Sequence, residues 1–498
     1  MSASVRGEAG SLGRIAPSIT PAKTTAEPAK VALCTPRTRT IATEWPRSAQ
    51  TPPRSSGGAA SLRPSPTDRG ASGRSVWRGA PGTKLTAPRS PCSAPAKRST
   101  ASPSSSLISR MQRRRILFLI SDSGGGHRAG AEAIAAALAE RPDADAFEYR
   151  IEDALVQCRF PLSALNTGYH LALKYGPFVY GALYHATNGE RRYRTLVESC
   201  NSLYRQALLR LVRSYNPDVI VSVHPLLNHV ALRVRSELGS RAPIVTVITD
   251  LGRVHAGWIA PSADAIVVPS AEVRACAVER GVPLQKIHLL GHPVHPRFAD
   301  YDESRAQIRE RLGLPRDCKI VLLMAGGEGG GKLSRITDAL GTAGLKNAHL
   351  IVCTGRNETL KTRLEEVGGA FDVPMTVLGF THEIPALMRA ADLLVTKAGP
   401  GAIAEACVAA VPMVVYDYVP GQERGNIDHV RRTGIGEVTL SVGQTVRAVQ
   451  RLLRDAKRLE RMRGCEREIA RPQASRQIAD LVIGFAGIHQ PQYAAAGR

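Results

Sequence analysis

Short apolar runs recur along the chain from residue 116 onward, and stretches of helical periodicity separate them. The first series is ILFLI (116–120), DVIVSV (218–223), PIVTVIT (243–249) and DAIVVPS (264–270). After Pro296 the rhythm restarts with KIVLLMA (319–325), HLIVCTG (349–355), MTVLGF (375–380), DLLVTKAG (392–399) and PMVVYD (412–417). Continuous β-branched runs alternating with helices predict parallel strands covered on both faces. Two such series predict an α/β chain with two doubly wound, Rossmann-like domains facing across a cleft. The polar, proline-marked segment 291–305 separates them. The expected domains are therefore 111–298 and 299–475, followed by a tail over 476–498.

Before residue 111 the pattern is absent. Residues 1–110 carry 17 Lys and Arg against 4 Asp and Glu, with 14 of the 33 prolines, so more than half of the net charge of +23 lies there. With no apolar periodicity to offset its ordering entropy, this segment is expected to be disordered. It reads as a basic arm, as an organellar transit peptide, or as an upstream extension foreign to a natural protein starting at Met111. The basic pI thus says little about the core, and a specific nucleic-acid partner is not expected. Nine scattered cysteines form no C-x-x-C pair and no metal-like Cys/His spacing, which fits a reducing compartment and no metal site. No apolar run approaches the ~20 residues of a membrane-spanning helix.

The densest chemistry lies at 396–426, TKAGPGAIAEACVAAVPMVVYDYVPGQERGN. Thr396 and Lys397 end a buried strand, and Gly399, Pro400 and Gly401 turn into a helix. A helix opening on glycines presents free N–H groups and a positive dipole end, suited to a diphosphate. Glu405 lies a turn further in, within reach of a ribose. Gln422, Glu423 and Asn426 follow the next strand and return to the same carboxyl-end crevice.

Each domain also opens with a glycine loop after its first strand. In SDSGGGHRAGAEA, Gly124, Gly125 and Gly126 permit a tight turn, and His127 sits at the mouth of the next helix, where the dipole favours its neutral, proton-accepting form. His127 is the candidate general base. In AGGEGGGKL, Gly326, Gly327 and Glu328 begin a close-approach loop. Gly326, Gly331 and Lys332 match the nucleotide-hydrolase phosphate loop, but Leu333 replaces its Mg²⁺-binding hydroxyl, which argues against hydrolysis. Asp250, His255 and Trp258 in TDLGRVHAGWIAP fall on the same sheet edge as His127. Other histidines between 224 and 295 are irregularly spaced and read as structural or surface residues. Segment 155–190 concentrates Phe160, Tyr169, Tyr175, Phe178, Tyr180 and Tyr184 ahead of Arg191, Arg192 and Arg194. It suits a membrane interface or acyl-chain entry, or a helical cover for the first sheet.

Together SDSGGGHRAGAEAI, TDLGRVHAGWIAP, LLMAGGEGGG, GFTHEIPALMRAADLLVTKAGPGAIAEA and VPGQERGN resemble the motifs of monogalactosyldiacylglycerol synthases and bacterial processive diacylglycerol glucosyltransferases. The resemblance is more distant to the lipid-linked N-acetylglucosaminyltransferase of peptidoglycan synthesis. It covers about residues 115–470, in order. It implies the GT-B fold of glycosyltransferase family 28, with acceptor lipid on the first domain, UDP-sugar on the second, and inversion at the anomeric carbon. By the same resemblance His127 is the base or acceptor-positioning residue, and Asp250 a second catalytic or acceptor-orienting carboxylate. Gly399, Pro400 and Gly401 hold the diphosphate, Glu405 the ribose, Gln422 and Glu423 the donor, and Arg356 and Phe380 flank the uracil. The implied reaction moves galactose or glucose from UDP-sugar to diacylglycerol, without a tightly bound cofactor or metal. Its place is the cytoplasmic face of a membrane with an anionic surface: the bacterial plasma membrane, or the plastid envelope if the N-terminal segment is a transit peptide. THEIPAL after Gly-Phe, and DLGRVHAGW, depart from the plant-type pattern and leave sugar and acceptor open. A different lipid acceptor, such as a lipid-linked muramyl intermediate, and a UDP-sugar epimerase or hydrolase are the alternatives.

Overall fold

The computed structural model describes residues 113–326 and 332–487, with the backbone alone at His170 and Lys174. The basic segment 1–110, Gly327 and Glu328, and the end of the chain from 488 lie outside the described residues.

Among these residues the chain forms two parallel sheets. The first comprises β1 (Arg114–Ile120), β2 (Phe147–Asp153), β3 (Val219–Ser222), β4 (Ile244–Val247), β5 (Ala265–Val268) and β6 (Ile287–Leu289), in the order β2-β1-β3-β4-β5-β6. The second comprises β7 (Lys319–Met324), β8 (Ala348–Cys353), β9 (Met375–Leu378), β10 (Leu393–Lys397), β11 (Met413–Asp417) and β12 (Gly436–Val438), in the order β12-β11-β10-β7-β8-β9. All nine apolar runs in the sequence are strands. Residues 116–120 of β1 are wholly buried, as are all of β3, β4 and β5, because helices cover both faces.

The first domain carries α1 (Gly126–Ala139), α2 (Leu165–Tyr175), α3 (Pro177–Thr187), α4 (Glu190–Ser199), α5 (Asn201–Tyr215), α6 (Asn228–Glu237) and α7 (Ala271–Glu279). The second carries α8 (Arg305–Arg311), α9 (Leu333–Gly341), α10 (Glu358–Val367), α11 (Ile384–Ala390), α12 (Pro400–Ala409), α13 (Arg424–Thr433), α14 (Val442–Arg454) and α15 (Ala456–Ile469). A last helix, α16 (Ala474–Phe485), occupies the described part of the segment expected as a tail over 476–498. Its Ile478, Leu481, Val482 and Ile483 enter the core formed by β1, β3, β4 and α1, so the chain returns to its first domain.

Strand order reverses between β1 and β3 in the first sheet and between β7 and β10 in the second. Loops leaving such neighbours diverge to opposite faces and open a crevice at the carboxyl ends. The loops after β1 and β3 carry the first glycine loop and His224. Those after β7 and β10 carry Gly326 and the turn into α12. Helices α1 and α12 pack against each other, which brings the two crevices together.

Candidate active site

The first glycine loop needs its glycines for backbone shape. Gly124 and Gly125 lie at φ 131° and 80°, and Gly125 is the N-cap of α1. His127 follows in the first turn and is 92 % buried at 8 % exposure. Its Nδ1 lies 3.4 Å from Thr249 Oγ1, and its ring meets His224 edge-on at 4.6 Å and Trp258 at 5.8 Å. Burial pushes its pKa down to about 4, against the opposing pull of a hydrogen bond to the Val223 backbone and the charge of Asp122. His127 is therefore neutral at physiological pH and able to accept a proton.

His292, buried and also pushed down to about 4, is close enough to His127 for their charges to repel. A Cβ on Gly401 would come 3.8 Å from His292 Cε1. The ring of His292 thus spans the gap between the histidine loop and the start of α12. His224 and His292 were not among the expected site residues. A signal was available, since His127, His224 and His292 all lie just beyond strands of one parallel sheet.

On the donor side, no side chain caps α12, whose first residue is Pro400 after Gly399. Its amino end is thus available to an anion. Glu405, half-buried in α12, is pushed up to about 7 by burial, with Arg297 acting in the opposite direction. At the ends of β8 and β9, Arg356 lies over the ring of Phe380 at 5.2 Å, and Phe380 is 55 % exposed. An exposed aromatic face with a guanidinium beside it suits a stacked base. Gly326, two residues beyond β7, lies in the left-handed region at φ 77°. Lys332 Nζ reaches Asp417 Oδ1 at 2.9 Å, tying the end of the second glycine loop to β11. Thr396 is buried within the sheet, and Lys397 faces Glu423 closely enough to favour its carboxylate.

The remaining expected residues meet at the domain boundary. Asp250 Oδ2 accepts from Trp258 Nε1 at 2.8 Å. Burial pushes Asp250 up to about 6, and the hydrogen bonds from Trp258 and Asn426 oppose that shift. Glu423 Oε2 accepts from the Val419 amide at 2.7 Å. Burial holds it at about 7, with Asp250 and Asp417 pushing in the same direction. Two carboxyls from opposite domains thus face one crevice, and each disfavours the other's ionisation. Gln422 Oε1 accepts from Tyr180 at 2.9 Å and Tyr169 at 3.3 Å, both from the first domain.

Two expectations shift. Asn426, expected beside the donor, is fully buried. Its Oδ1 accepts from the Leu251 amide at 2.8 Å and its Nδ2 donates to the Ala398 carbonyl at 3.1 Å, so it fastens one domain to the other. His255, expected at the acceptor side, has both ring nitrogens engaged: Nδ1 accepts from the Gly257 amide at 3.1 Å, and Nε2 lies 3.2 Å from Thr187 Oγ1. It shapes the turn that seats the fully buried Trp258. The role of Asn426 was not readable in sequence, because it depends on contacts between distant segments. Among the described residues no group of three or more His, Cys, Asp or Glu could hold a metal ion, and no helix is long and apolar enough to cross a membrane.

The chain is similar to known proteins. Residues 127–294 match the model of the monogalactosyldiacylglycerol (MGDG) synthase family, and residues 320–471 that of the glycosyltransferase family 28 C-terminal domain. A chloroplastic monogalactosyldiacylglycerol synthase of Spinacia oleracea is 35 % identical over 345 residues, covering 68 % of this chain and 65 % of its own. The chain thus spans just under two thirds of that relative's length. Monogalactosyldiacylglycerol synthase 2 of Arabidopsis thaliana is 32 % identical over 379 residues, covering 74 % of this chain and 80 % of its own. The crystal structure of MurG from Acinetobacter baumannii superposes with a TM-score of 0.50 at 13 % identity, over 74 % of this chain and 99 % of that one, a likeness of fold alone. Two doubly wound sheets joined in this way are the GT-B fold. With four fifths of the Arabidopsis protein's length aligned at that identity, the chain belongs to the monogalactosyldiacylglycerol synthase family.

Proposed function

We propose that this chain is an inverting glycosyltransferase that moves galactose or glucose from a UDP-sugar to the hydroxyl of diacylglycerol. One observation carries the reading: a buried, neutral histidine on the first domain approaches, through His292, the uncapped amino end of α12 on the second. A proton acceptor and an anion site on opposite walls of one crevice are what displacement of a diphosphate by an alcohol requires. The diacylglycerol oxygen forms a bond to C1 of the sugar, the C1–O bond to the diphosphate breaks, and UDP leaves. His127 takes the hydroxyl proton. Bound diphosphate adds negative charge nearby, which raises the pKa of His127 and strengthens it as a base. The leaving charge is held by the helix N-terminus, with Gly399, Pro400 and Gly401 shaping the turn. Arg356 and Phe380 flank the uracil, Glu405 meets the ribose, and Gln422, Glu423 and Lys397 surround the sugar and phosphates.

The acceptor lies in a membrane, and α2 and α3 suit its surface. Phe160, Tyr175 and Phe178 are 78 %, 73 % and 84 % exposed, with Leu171, Val179 and Leu183 also exposed. A patch of this kind beside Arg191, Arg192 and Arg194 fits an anionic lipid interface, with the enzyme peripheral on the cytoplasmic face. The test is incubation of the full chain with diacylglycerol and UDP-galactose, UDP-glucose or UDP-N-acetylglucosamine, with products read by mass. A glycosyl-diacylglycerol supports the reading. Free sugar or an epimerised nucleotide without glycolipid refutes it. His127→Ala is expected to lower turnover by about 10²–10⁴-fold while UDP still binds; near-normal turnover removes His127 from the mechanism.

A further inference from the structure

The loop after β11 and the α2–α3 hairpin interlock across the domain boundary. Gly181 of α3 leaves room for Pro420, which an added Cβ would meet at 3.1 Å. Gly421, at φ 82°, leaves room for Tyr184, whose ring an added Cβ would meet at 3.0 Å. Directly after these two close approaches comes Gln422, with its Oε1 accepting from Tyr180 at 2.9 Å and from Tyr169 at 3.3 Å. The two tyrosine rings brace each other edge-on at 5.4 Å. Burial first, and the nearby Asp250 and Glu423 carboxyls as well, push both phenols far above their ordinary pKa, so they stay protonated and able to donate.

An amide has two ends, and this arrangement assigns them. With its oxygen taken by two phenol donors, Gln422 turns its amino group to anything else it meets. We propose that Tyr180, supported by Tyr169, is a positioning residue for the donor sugar: it fixes the Gln422 amide so that the amino end addresses a sugar hydroxyl. The proposal rests on the reading of Gln422 as a donor-site residue and deepens it. Gln422 belongs to the donor domain and its clamp to the acceptor domain. A sugar is therefore held correctly only when the hairpin is seated on the loop. The same hairpin turns Phe178, Val179 and Leu183 outward, so the element that orients the amide also carries the apolar surface.

The test compares Tyr180→Phe, Gln422→Ala and the double variant of the full chain. KM and kcat are measured with UDP-galactose and UDP-glucose, and UDP and UDP-sugar affinities by calorimetry. Tyr180→Phe removes one hydrogen bond and no bulk. The expected result is a rise of about three- to tenfold in KM for the UDP-sugar. UDP affinity stays unchanged, the preference between the two sugars shifts, and no further loss appears in the Gln422→Ala background. An unchanged KM and sugar preference in Tyr180→Phe, while Gln422→Ala raises KM, overturns the proposal and leaves the donor-site reading standing. A Tyr180→Phe loss of equal size in the Gln422→Ala background also overturns it, because Tyr180 then acts without Gln422. If Gln422→Ala itself leaves UDP-sugar binding untouched, the donor-site reading falls and the positioning role falls with it.

Discussion

In the role proposed for it at the ribose, Glu405 would serve a ligand at the expense of the fold. Its carboxyl sits in α12 with burial holding its pKa at about 7, well above the usual carboxylate range. A carboxyl with a raised folded pKa binds protons more tightly folded than unfolded. Its stabilising contribution is full below about pH 4.5 and is lost as pH rises through 7. Glu405→Gln removes the ionisation, so the variant is expected to be more stable than the parent at pH 8 by roughly 1–3 kcal/mol, with the gain vanishing near pH 4. On the role proposed for Glu405 at the ribose, the same change is expected to weaken UDP-sugar binding, because an amide replaces a carboxylate. Urea midpoints at the two pH values check the first expectation and calorimetry the second. A variant less stable at pH 8 would show that the charged form is stabilised in the fold. Glu405, His127 and the Gly-Pro-Gly turn were legible in sequence because each belongs to a local strand–turn–helix unit. Asn426 and Gln422 were legible only as residues following a strand, because the partners that fix them lie 175 and 242 residues away along the chain.

Among the elements, the interior strands announced themselves and three edge strands did not. β2 reads FEYRIED and buries only Phe147 fully, β6 is the three-residue IHL, and β12 is GEV. An edge strand is covered less completely, so its sequence need not be continuously apolar, and the signal used for the centre is missing. The α2–α3 hairpin was legible only as an excess of aromatics, because its residues divide between two surroundings. On α3, Tyr180 and Tyr184 are four residues apart and turn to the crevice, while Phe178, Val179 and Leu183 turn out. Replacing Phe178 and Leu183 by Ser therefore leaves the crevice lining untouched and removes apolar surface from the face proposed to meet lipid. The double variant is expected to bind vesicles of phosphatidylcholine and phosphatidylglycerol at least about tenfold more weakly. Its turnover on short-chain diacylglycerol in detergent stays near that of the parent. Undiminished vesicle binding in a sedimentation assay would place the membrane contact elsewhere.

At the scale of the whole molecule, chain order and domain membership part company. α16 follows the entire second domain in sequence, yet Ile478, Leu481, Val482 and Ile483 are buried in the core of the first. Arg141 of the first domain pairs with Asp480, and Arg476 bridges Glu140 and Asp300. The two connections between domains, near 291–294 and 468–471, thus run side by side, while Asn426 fastens the boundary between Leu251 and Ala398. A sequence window cannot reveal this, since α16 has an ordinary amphipathic pattern whose partner lies more than 300 residues earlier. Ile478→Ala empties a fully buried site between α16 and the first sheet, at a cost of about 2–5 kcal/mol. The loss is expected in the first domain: hydrogen exchange should accelerate at amides of β1, β3 and β4, while β10 and β11 keep their protection. Acceleration confined to β10 and β11 would instead assign α16 to the domain that precedes it in the chain. Selective loss in the first sheet, with UDP affinity retained, would separate the stability of the histidine wall from that of the diphosphate wall.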